Sequence, residues 1–179
     1  MSSDRRTIRG FSLIELIVVI VIMSVLAVAA VPAIGIARES AQLAARDEVT
    51  RQLGLARATA IQTGSAVGVR FDLDTQVLSL LTVASAGEPA VSLAGPLGVV
   101  YEPTNLTTTF RGVTITSIAD GEGTVHVAGE DAMLWFGFDG VPERRDAEGA
   151  LLGVAEQSAR IESSAGWAIV VHAASGMIE

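Results

Sequence analysis

The amino-acid sequence predicts an α+β fold, in which one long N-terminal helix packs on an antiparallel β-sheet or sandwich domain. No charged residue occurs in residues 16–36, and apolar residues then recur at helical spacing as far as Gln62. From Gly64 onward, apolar and polar residues alternate in short runs separated by turn residues, which is typical of β-strands. The chain of 179 residues has room for one such domain with an appended helix.

The uncharged run predicts that residues 11–36 form a membrane-spanning first half of the helix. At about 1.5 Å per residue, residues 16–36 span roughly 31 Å, the thickness of a bilayer's hydrocarbon core. Basic residues ahead of the run orient its N-terminus toward the cytoplasm. Because the run is longer than the core of an ordinary secretory signal, we expect a retained single-pass anchor.

The composition is acidic, which restricts the classes of partner. The net charge is −8, all 12 basic residues are arginine and there is no cysteine. Residues 1–10 hold one acidic and three basic residues, so 19 acidic and 9 basic residues remain beyond them, a net charge of −10. Such a chain lacks the basic footprint of a nucleic-acid-binding protein. The absence of cysteine excludes a redox or thiolate-metal role.

A motif surrounds the start of the apolar run. It reads Arg9-Gly10-Phe11-Ser12-Leu13-Ile14-Glu15-Leu16. A basic leader, a glycine, a phenylalanine and a glutamate five residues into the following chain resemble the type III signal sequence of type IV prepilins and type II secretion pseudopilins. Pro32 matches a proline that the helices of this family carry.

The resemblance implies a processing reaction and an assembly contact. Residues 1–10 would be a cytoplasmic leader, which a prepilin peptidase removes by cutting between Gly10 and Phe11 before it methylates the new amine of Phe11. Glu15 would pair with that amine on a neighbouring subunit at the inner-membrane assembly platform, and Pro32 would belong to the assembly half of the helix. The chemistry agrees, because a carboxylate in lipid costs about 2.5–3.5 kcal/mol unless it finds a partner. Gly10 has no Cβ, so a protease can approach its backbone closely.

Residues 37–62 are predicted to continue the helix on the periplasmic side of the membrane. Pro32 is expected to kink the helix, because it removes one backbone hydrogen bond. Gly64 is a plausible cap at the far end. Apolar residues at helical spacing form one stripe that should pack on the domain: Ala45, Val49, Leu53, Ala56 and Ala60.

Residues 63–179 are predicted to form the β-rich globular domain, with about seven or eight short strands. The predicted strands are 65–71, 76–83, 107–110, 113–118, 124–127, 133–138, 158–163 and 167–172. Asp120-Gly121 and Asp139-Gly140 have the composition of hairpin turns. Residues 84–98, rich in Gly, Ala and Pro, are expected to form a surface loop.

Three shorter segments resemble H-type minor pseudopilins and FimT-like pilins. They are Arg51-Gln52-Leu53 on the helix, Phe136-Gly137-Phe138-Asp139-Gly140, and Ile169-Val170-Val171-His172 followed by Ser175-Gly176-Met177-Ile178. The resemblance implies a junction from helix to first strand, a glycine turn and a closing hairpin.

No catalytic, cofactor or metal site is predicted. The candidates considered are His126, His172, Gly121-Glu122-Gly123, Asp72 with Asp74, Glu130 with Asp131, Trp135, Trp167 and the sequon at Asn105. The histidines lack neighbouring ligands at metal-binding spacing, and the acidic pairs lack the ligand density of a calcium loop. We interpret the histidines and acids as structural residues or turns, and both tryptophans as core residues.

The resemblance therefore implies a structural subunit and not an enzyme. The favoured function is a minor pseudopilin of a type II secretion system, which contacts other pilin-like subunits through its helix. The alternative is a minor type IV pilin, FimT-like, that primes pilus assembly. A DNA-uptake pilin is less favoured because the basic patch is missing, and no nucleic-acid partner is expected. A receptor domain on a plain anchor would not need Gly10, Phe11 and Glu15.

Overall fold

The fold was analysed in a computed structural model, which describes residues 12–83, 88–146 and 149–179 and leaves the side chains of residues 28–34 undescribed. The chain divides into two compact units, Met1–Glu39 and Ser40–Glu179. Helix α1 (Leu13–Thr63) contributes residues to both units. The remaining elements, eleven strands and one short helix among the described residues, belong to the second unit.

Helix α1 confirms the prediction of a single long helix, with 51 residues. In the second unit its predicted apolar stripe is fully buried, since Ala45, Val49, Leu53, Ala56 and Ala60 are each 0% exposed. The helix ends at Gly64, where φ is +69° and the Gly64 N–H donates to the Ala60 carbonyl at 3.0 Å. This is the left-handed cap that glycine adopts without a steric penalty.

The larger sheet has seven antiparallel strands. They are β1 (Ala66–Asp72), β2 (Val77–Val83), β3 (Val91–Ser92), β4 (Thr104–Asn105), β7 (Asp131–Phe136), β8 (Pro142–Arg145) and β9 (Leu151–Val154). Their order is β3-β2-β1-β7-β8-β9, and β4 pairs with β2. Gly68 of β1 faces Trp135 of β7 directly, and a Cβ at position 68 would lie 2.6 Å from Trp135 Cε3. Gly68 is therefore required by the close approach of the indole ring.

The smaller sheet has four antiparallel strands, in the order β11-β10-β5-β6. They are β5 (Ile115–Ala119), β6 (Val125–Val127), β10 (Ala159–Ser163) and β11 (Ala168–Val171). The inward residues of both sheets and the helix stripe form one continuous core, which includes Leu53, Phe71, Phe136, Ile118 and Ile161. The predicted fold class, a long helix with antiparallel sheets, is confirmed.

One predicted strand is wrong. Residues 107–109 lie in a short helix, α2 (Leu106–Thr109), and Phe110 follows it as the C-cap, although consecutive threonines favour strands. Asn105 caps this helix, because its side-chain oxygen accepts a hydrogen bond from the Thr108 N–H at 2.9 Å. Leu106 is fully buried, so the capped turn also places an apolar side chain in the core.

The extent of strand structure was underestimated. The expected loop at 84–98 contains β3 and an isolated β-bridge from Ala94 to Val100, while residues 84–87 lie outside the described part. Strands β8 and β9 were missed altogether. Strand β8 carries Glu143 and Arg145 on one face, where an alternating strand would carry apolar residues. These two side chains pair with each other at 2.8 Å, so the sequence of β8 lacks the apolar–polar alternation that predicts a strand.

Candidate assembly site at the start of the long helix

The first turn of α1 is closed by two reciprocal hydrogen bonds between Ser12 and Glu15. The Ser12 N–H donates to Glu15 Oε2 at 2.8 Å, and the Glu15 N–H donates to Ser12 Oγ at 3.4 Å. This arrangement is a capping box, which satisfies two backbone donors that a helix N-terminus otherwise leaves unpaired. It also places the carboxylate of Glu15 at the positive end of the helix dipole.

Ser12 bonds to Glu15 and was not among the residues predicted for this site. The spacing Ser-x-x-Glu immediately before an apolar run is itself a signature of a helix start. Ser12 Oγ accepts a hydrogen bond from the backbone N–H of Glu15. The Ser12 N–H in turn donates to only one of the two carboxylate oxygens of Glu15, Oε2. Glu15 Oε1 has no hydrogen-bond donor among the residues described.

The other residues of the predicted site are described less fully. Gly10 and Phe11 lie outside the described residues. Helical structure continues across Pro32, whose side chain is also outside the description, and the kink expected there stays a prediction. Within the described part of the chain, no helix combines the length and the apolarity needed to cross a membrane.

The first unit exposes its apolar side chains. From Leu13 to Leu26 every large apolar residue is at least 47% exposed. Its side chains make local hydrogen bonds, such as Ser24 Oγ to the Ile20 carbonyl at 2.8 Å. An apolar surface this extensive is favourable only when lipid or other helices cover it.

The candidate metal ligand His126 belongs to a hydrogen-bonded network at the β5–β6 turn. Nε2 of His126 lies 3.0 Å from Asp120 Oδ2, and Nδ1 lies 3.8 Å from Glu130. Burial acts to raise the pKa of Asp120, but hydrogen bonds from His126, Glu122 and Thr124 outweigh it and hold that pKa below its ordinary value. Asp120 Oδ1 accepts the two backbone N–H groups of the β5–β6 turn, which accounts for its position there.

The remaining alternatives also have structural explanations. Asp72 Oδ1 caps its own turn by accepting from the Asp74 and Thr75 N–H groups, and Asn105 caps α2. Trp135 is buried in the larger sheet. His172 Nε2 lies 3.3 Å from Glu179, outside hydrogen-bond geometry. In residues 12–83, 88–146 and 149–179, no three histidine or acidic side chains are grouped closely enough to hold a metal ion.

Comparison with known proteins identifies the N-terminal motif first. Residues 5–31 match the family model of the prokaryotic N-terminal methylation motif. This match includes Gly10, Phe11 and Glu15, and it confirms the resemblance on which the sequence analysis relied. A comparison with curated protein sequences gives no match.

The fold is similar to that of a minor pseudopilin. Two structures of EpsH from the type 2 secretion system of Vibrio cholerae match at TM-scores of 0.51 and 0.53, each with 16% sequence identity. The first match covers 78% of this chain and 93% of EpsH, and the second covers 79% and 95%. At this identity the likeness establishes the pilin-like fold and nothing finer.

Proposed function

We propose that the chain is a minor pseudopilin, a structural subunit of the periplasmic pseudopilus of a type II secretion system. One observation carries the proposal: an N-terminal methylation motif precedes a helix and β-domain whose fold is similar to that of EpsH. The motif supports assembly into a filament. The likeness of the fold to that of EpsH supports a pilin-like subunit, and a minor pseudopilin is the member of that class that we propose.

The first step of the proposed function is processing. A prepilin peptidase cuts the Gly10–Phe11 bond on the cytoplasmic side of the inner membrane and methylates the amine of Phe11. Because the cut precedes the apolar run, the leader is released while residues 11–36 stay in the membrane as a single-pass anchor. The β-rich unit then lies in the periplasm.

The second step is assembly, in which Glu15 acts as the acceptor. Glu15 Oε2 caps its own helix through the Ser12 N–H, and Oε1 has no donor among residues 12–83, 88–146 and 149–179. A positive amine, Phe11 of the neighbouring subunit, can bind this carboxylate without disrupting the capping box. A cation brought to a carboxylate in lipid offsets part of the cost of burying that charge unpaired, which favours subunits that lie side by side. The inner-membrane platform brings those subunits together. The chain itself catalyses no reaction in this proposal.

Mass spectrometry of the chain extracted from membranes tests the processing step. We expect a mature protein that begins at Phe11, carries one methyl group and lacks ten of its 179 residues. Replacing Gly10 by Leu should leave the leader attached, because a side chain at this position blocks the backbone from the peptidase. Cleavage near Ala30 instead, as by ordinary signal peptidase, would refute the proposal.

A minor type IV pilin is the alternative, since it would carry the same methylation motif. The two functions differ in the machinery that supplies partners. Deleting the gene should abolish protein secretion across the outer membrane if the chain is a pseudopilin. It should abolish surface pili, and leave secretion unchanged, if the chain is a pilin.

A DNA-uptake role is tested by a gel-shift measurement with the purified full-length chain in detergent. With a net charge of −8 we expect no retardation of double-stranded DNA at physiological salt. Salt-dependent binding in the micromolar range would favour the DNA-uptake alternative.

A further inference from the structure

Three large apolar residues of the second unit are exposed on three segments that meet at the end of α1. Ile61 lies in the last turn of α1, Phe138 in the turn between β7 and β8, and Met177 in the segment after β11. Their exposed fractions are 51%, 67% and 49%. We call these three residues the helix-end patch.

Two glycines bring these elements together. A Cβ at Gly140, where φ is +76°, would lie 2.7 Å from Ile61 Cδ1, and a Cβ at Gly176 would overlap the carbonyl oxygen of Gly140. Phe138 is two residues from Gly140, and Met177 is the neighbour of Gly176. The β7–β8 turn and the C-terminal turn therefore meet backbone to backbone, and the side chains of Ile61 and Arg57 join the helix to them.

Arg57 holds this arrangement in place. Its Nε donates to the Gly140 carbonyl at 3.1 Å, and its Nη2 donates to the Ser175 carbonyl at 3.0 Å. A residue of the helix thus binds one turn of each sheet. Because the three elements are ordered before any partner arrives, docking on the patch does not require them to lose conformational freedom.

The residue types are those that dominate protein interfaces. Aromatic residues and methionine are enriched in interface centres, and burying each anchor there contributes much more than its neighbours do. Other exposed apolar residues of the second unit are arranged differently. Leu152 lies on the edge strand β9, for example, with apolar neighbours on that same strand.

Charge indicates which partner fits. Asp139 follows Phe138, Glu179 lies two residues after Met177, and both are exposed. The guanidinium of Arg57 is already bonded to two carbonyls. Arg57 keeps its positive charge in these bonds, but the two carboxylates outnumber it. A second copy of this chain is itself acidic, with a net charge of −8, so it does not supply the matching basic surface. The complement of the patch is a surface that is apolar at its centre and basic at its rim.

We propose that the helix-end patch is the docking surface of this chain for a different protein chain, whose contact surface is apolar with a basic rim. The proposal rests on the filament function, since it assigns a place where the periplasmic unit contacts the next, non-identical subunit. Phe138 is the central anchor, Ile61 and Met177 flank it, and Asp139 supplies charge complementarity.

Site-specific photocrosslinking in membranes tests the proposal. The full-length chain is expressed with the other subunits of its filament, carrying p-benzoylphenylalanine at position 138 or, as a matched exposed control, at position 152. We expect a crosslink from position 138 to a different subunit, identified by mass spectrometry, and none from position 152. Phe138→Ser should weaken recovery of that subunit about tenfold or more, while Leu152→Ser should not.

A charge-reversal experiment tests whether Asp139 pairs with a basic residue of the partner. Asp139→Arg should reduce the crosslink, and changing the basic residue nearest the crosslinked peptide of the partner to Glu should restore it. Crosslinks between two copies of this chain, equal crosslinking from positions 138 and 152, or no crosslink from position 138 would each overturn the proposal.

If the wild-type chain enters filaments and Phe138→Ser enters equally well, the docking proposal fails while the filament function stands. If the wild-type chain enters no filament, the filament function fails, and crosslinking in the membrane still decides the docking surface.

Discussion

The two units of this chain differ in how they satisfy their apolar and polar groups. In the first unit, large apolar side chains such as Leu13 and Ile17 are exposed, and side-chain hydrogen bonds join residues three or four positions apart. In the second unit one apolar face of α1 is covered, and Arg57 bonds to carbonyls 83 and 118 positions away. The first unit therefore depends on its surroundings for stability, whereas the second carries its own core.

This difference predicts which substitutions alter assembly and which alter folding. Changes in the first unit should leave the stability of the β-rich unit unchanged and act on incorporation into a filament. Changes in the second unit should act on the free energy of unfolding. Both tryptophans, Trp135 and Trp167, lie in the second unit, so tryptophan fluorescence reports unfolding of that unit.

The largest effect is expected at Glu15. Glu15→Val should leave membrane insertion intact or improve it, because a charge is removed from lipid. It should nevertheless abolish recovery in sheared-filament fractions, since the amine of the adjacent subunit loses its partner. Ser12→Ala removes the helix cap and keeps the carboxylate, so it should reduce recovery only partly. Equal recovery of wild type and Glu15→Val would show that Glu15 has no assembly role.

Two leucines of α1 should differ in how much they contribute to the free energy of unfolding, because one is buried and the other is exposed. Leu53→Ala should lower the free energy of unfolding of the second unit by about 2–5 kcal/mol, because Leu53 is fully buried against both sheets. Leu43→Ala, at an exposed position of the same helix, should change it by less than about 0.5 kcal/mol. Urea titrations of the detergent-solubilised chain, followed by tryptophan fluorescence, measure both. Similar values for the two variants would contradict the assignment of the buried face.

Arg57 should have a smaller effect on unfolding than Leu53. Arg57→Lys keeps the charge but cannot reach both the Gly140 and Ser175 carbonyls, so we expect a loss of about 1–3 kcal/mol. Arg51→Lys is the matched control, because Arg51 pairs with Glu48 on the surface of the same helix and should cost under about 1 kcal/mol. The same urea titrations apply. If both variants behaved alike, Arg57 would not join the helix to the two turns.

The smallest effect is expected from pH. The pKa of Asp120 is lower in the folded chain than in the unfolded one, so Asp120 stabilises the fold at pH values above its unfolded pKa of about 3.9. This contribution is lost as the pH falls through the folded pKa. Asp120→Asn should therefore cost under about 1 kcal/mol at neutral pH, and the difference from wild type should shrink in acid. Unfolding curves at pH 7 and pH 3 measure it, and a difference that grows in acid would contradict this sign.

Much of the fold was predictable because its signals are local. The buried stripe of α1, its glycine cap and the hairpin of β1 and β2 all follow from periodicity and turn residues within short windows. Predictions failed where a distant partner or a specific cap decided the outcome. Asn105 turned a threonine-rich segment into helix α2, and the charges of β8 hid a strand that pairs with β9.

The sequence by itself determined the N-terminal motif around Gly10, Phe11 and Glu15, the length of α1 and the α+β class. These depend on which residues are near in sequence, through spacing, helical period and strand alternation. Only the tertiary structure decided that Arg57 would join one turn of each sheet and that Phe138 would lie in the helix-end patch. Those contacts join residues far apart in the chain, so no local pattern encodes them. They form because packing both sheets on the buried face of one helix brings their turns to its end.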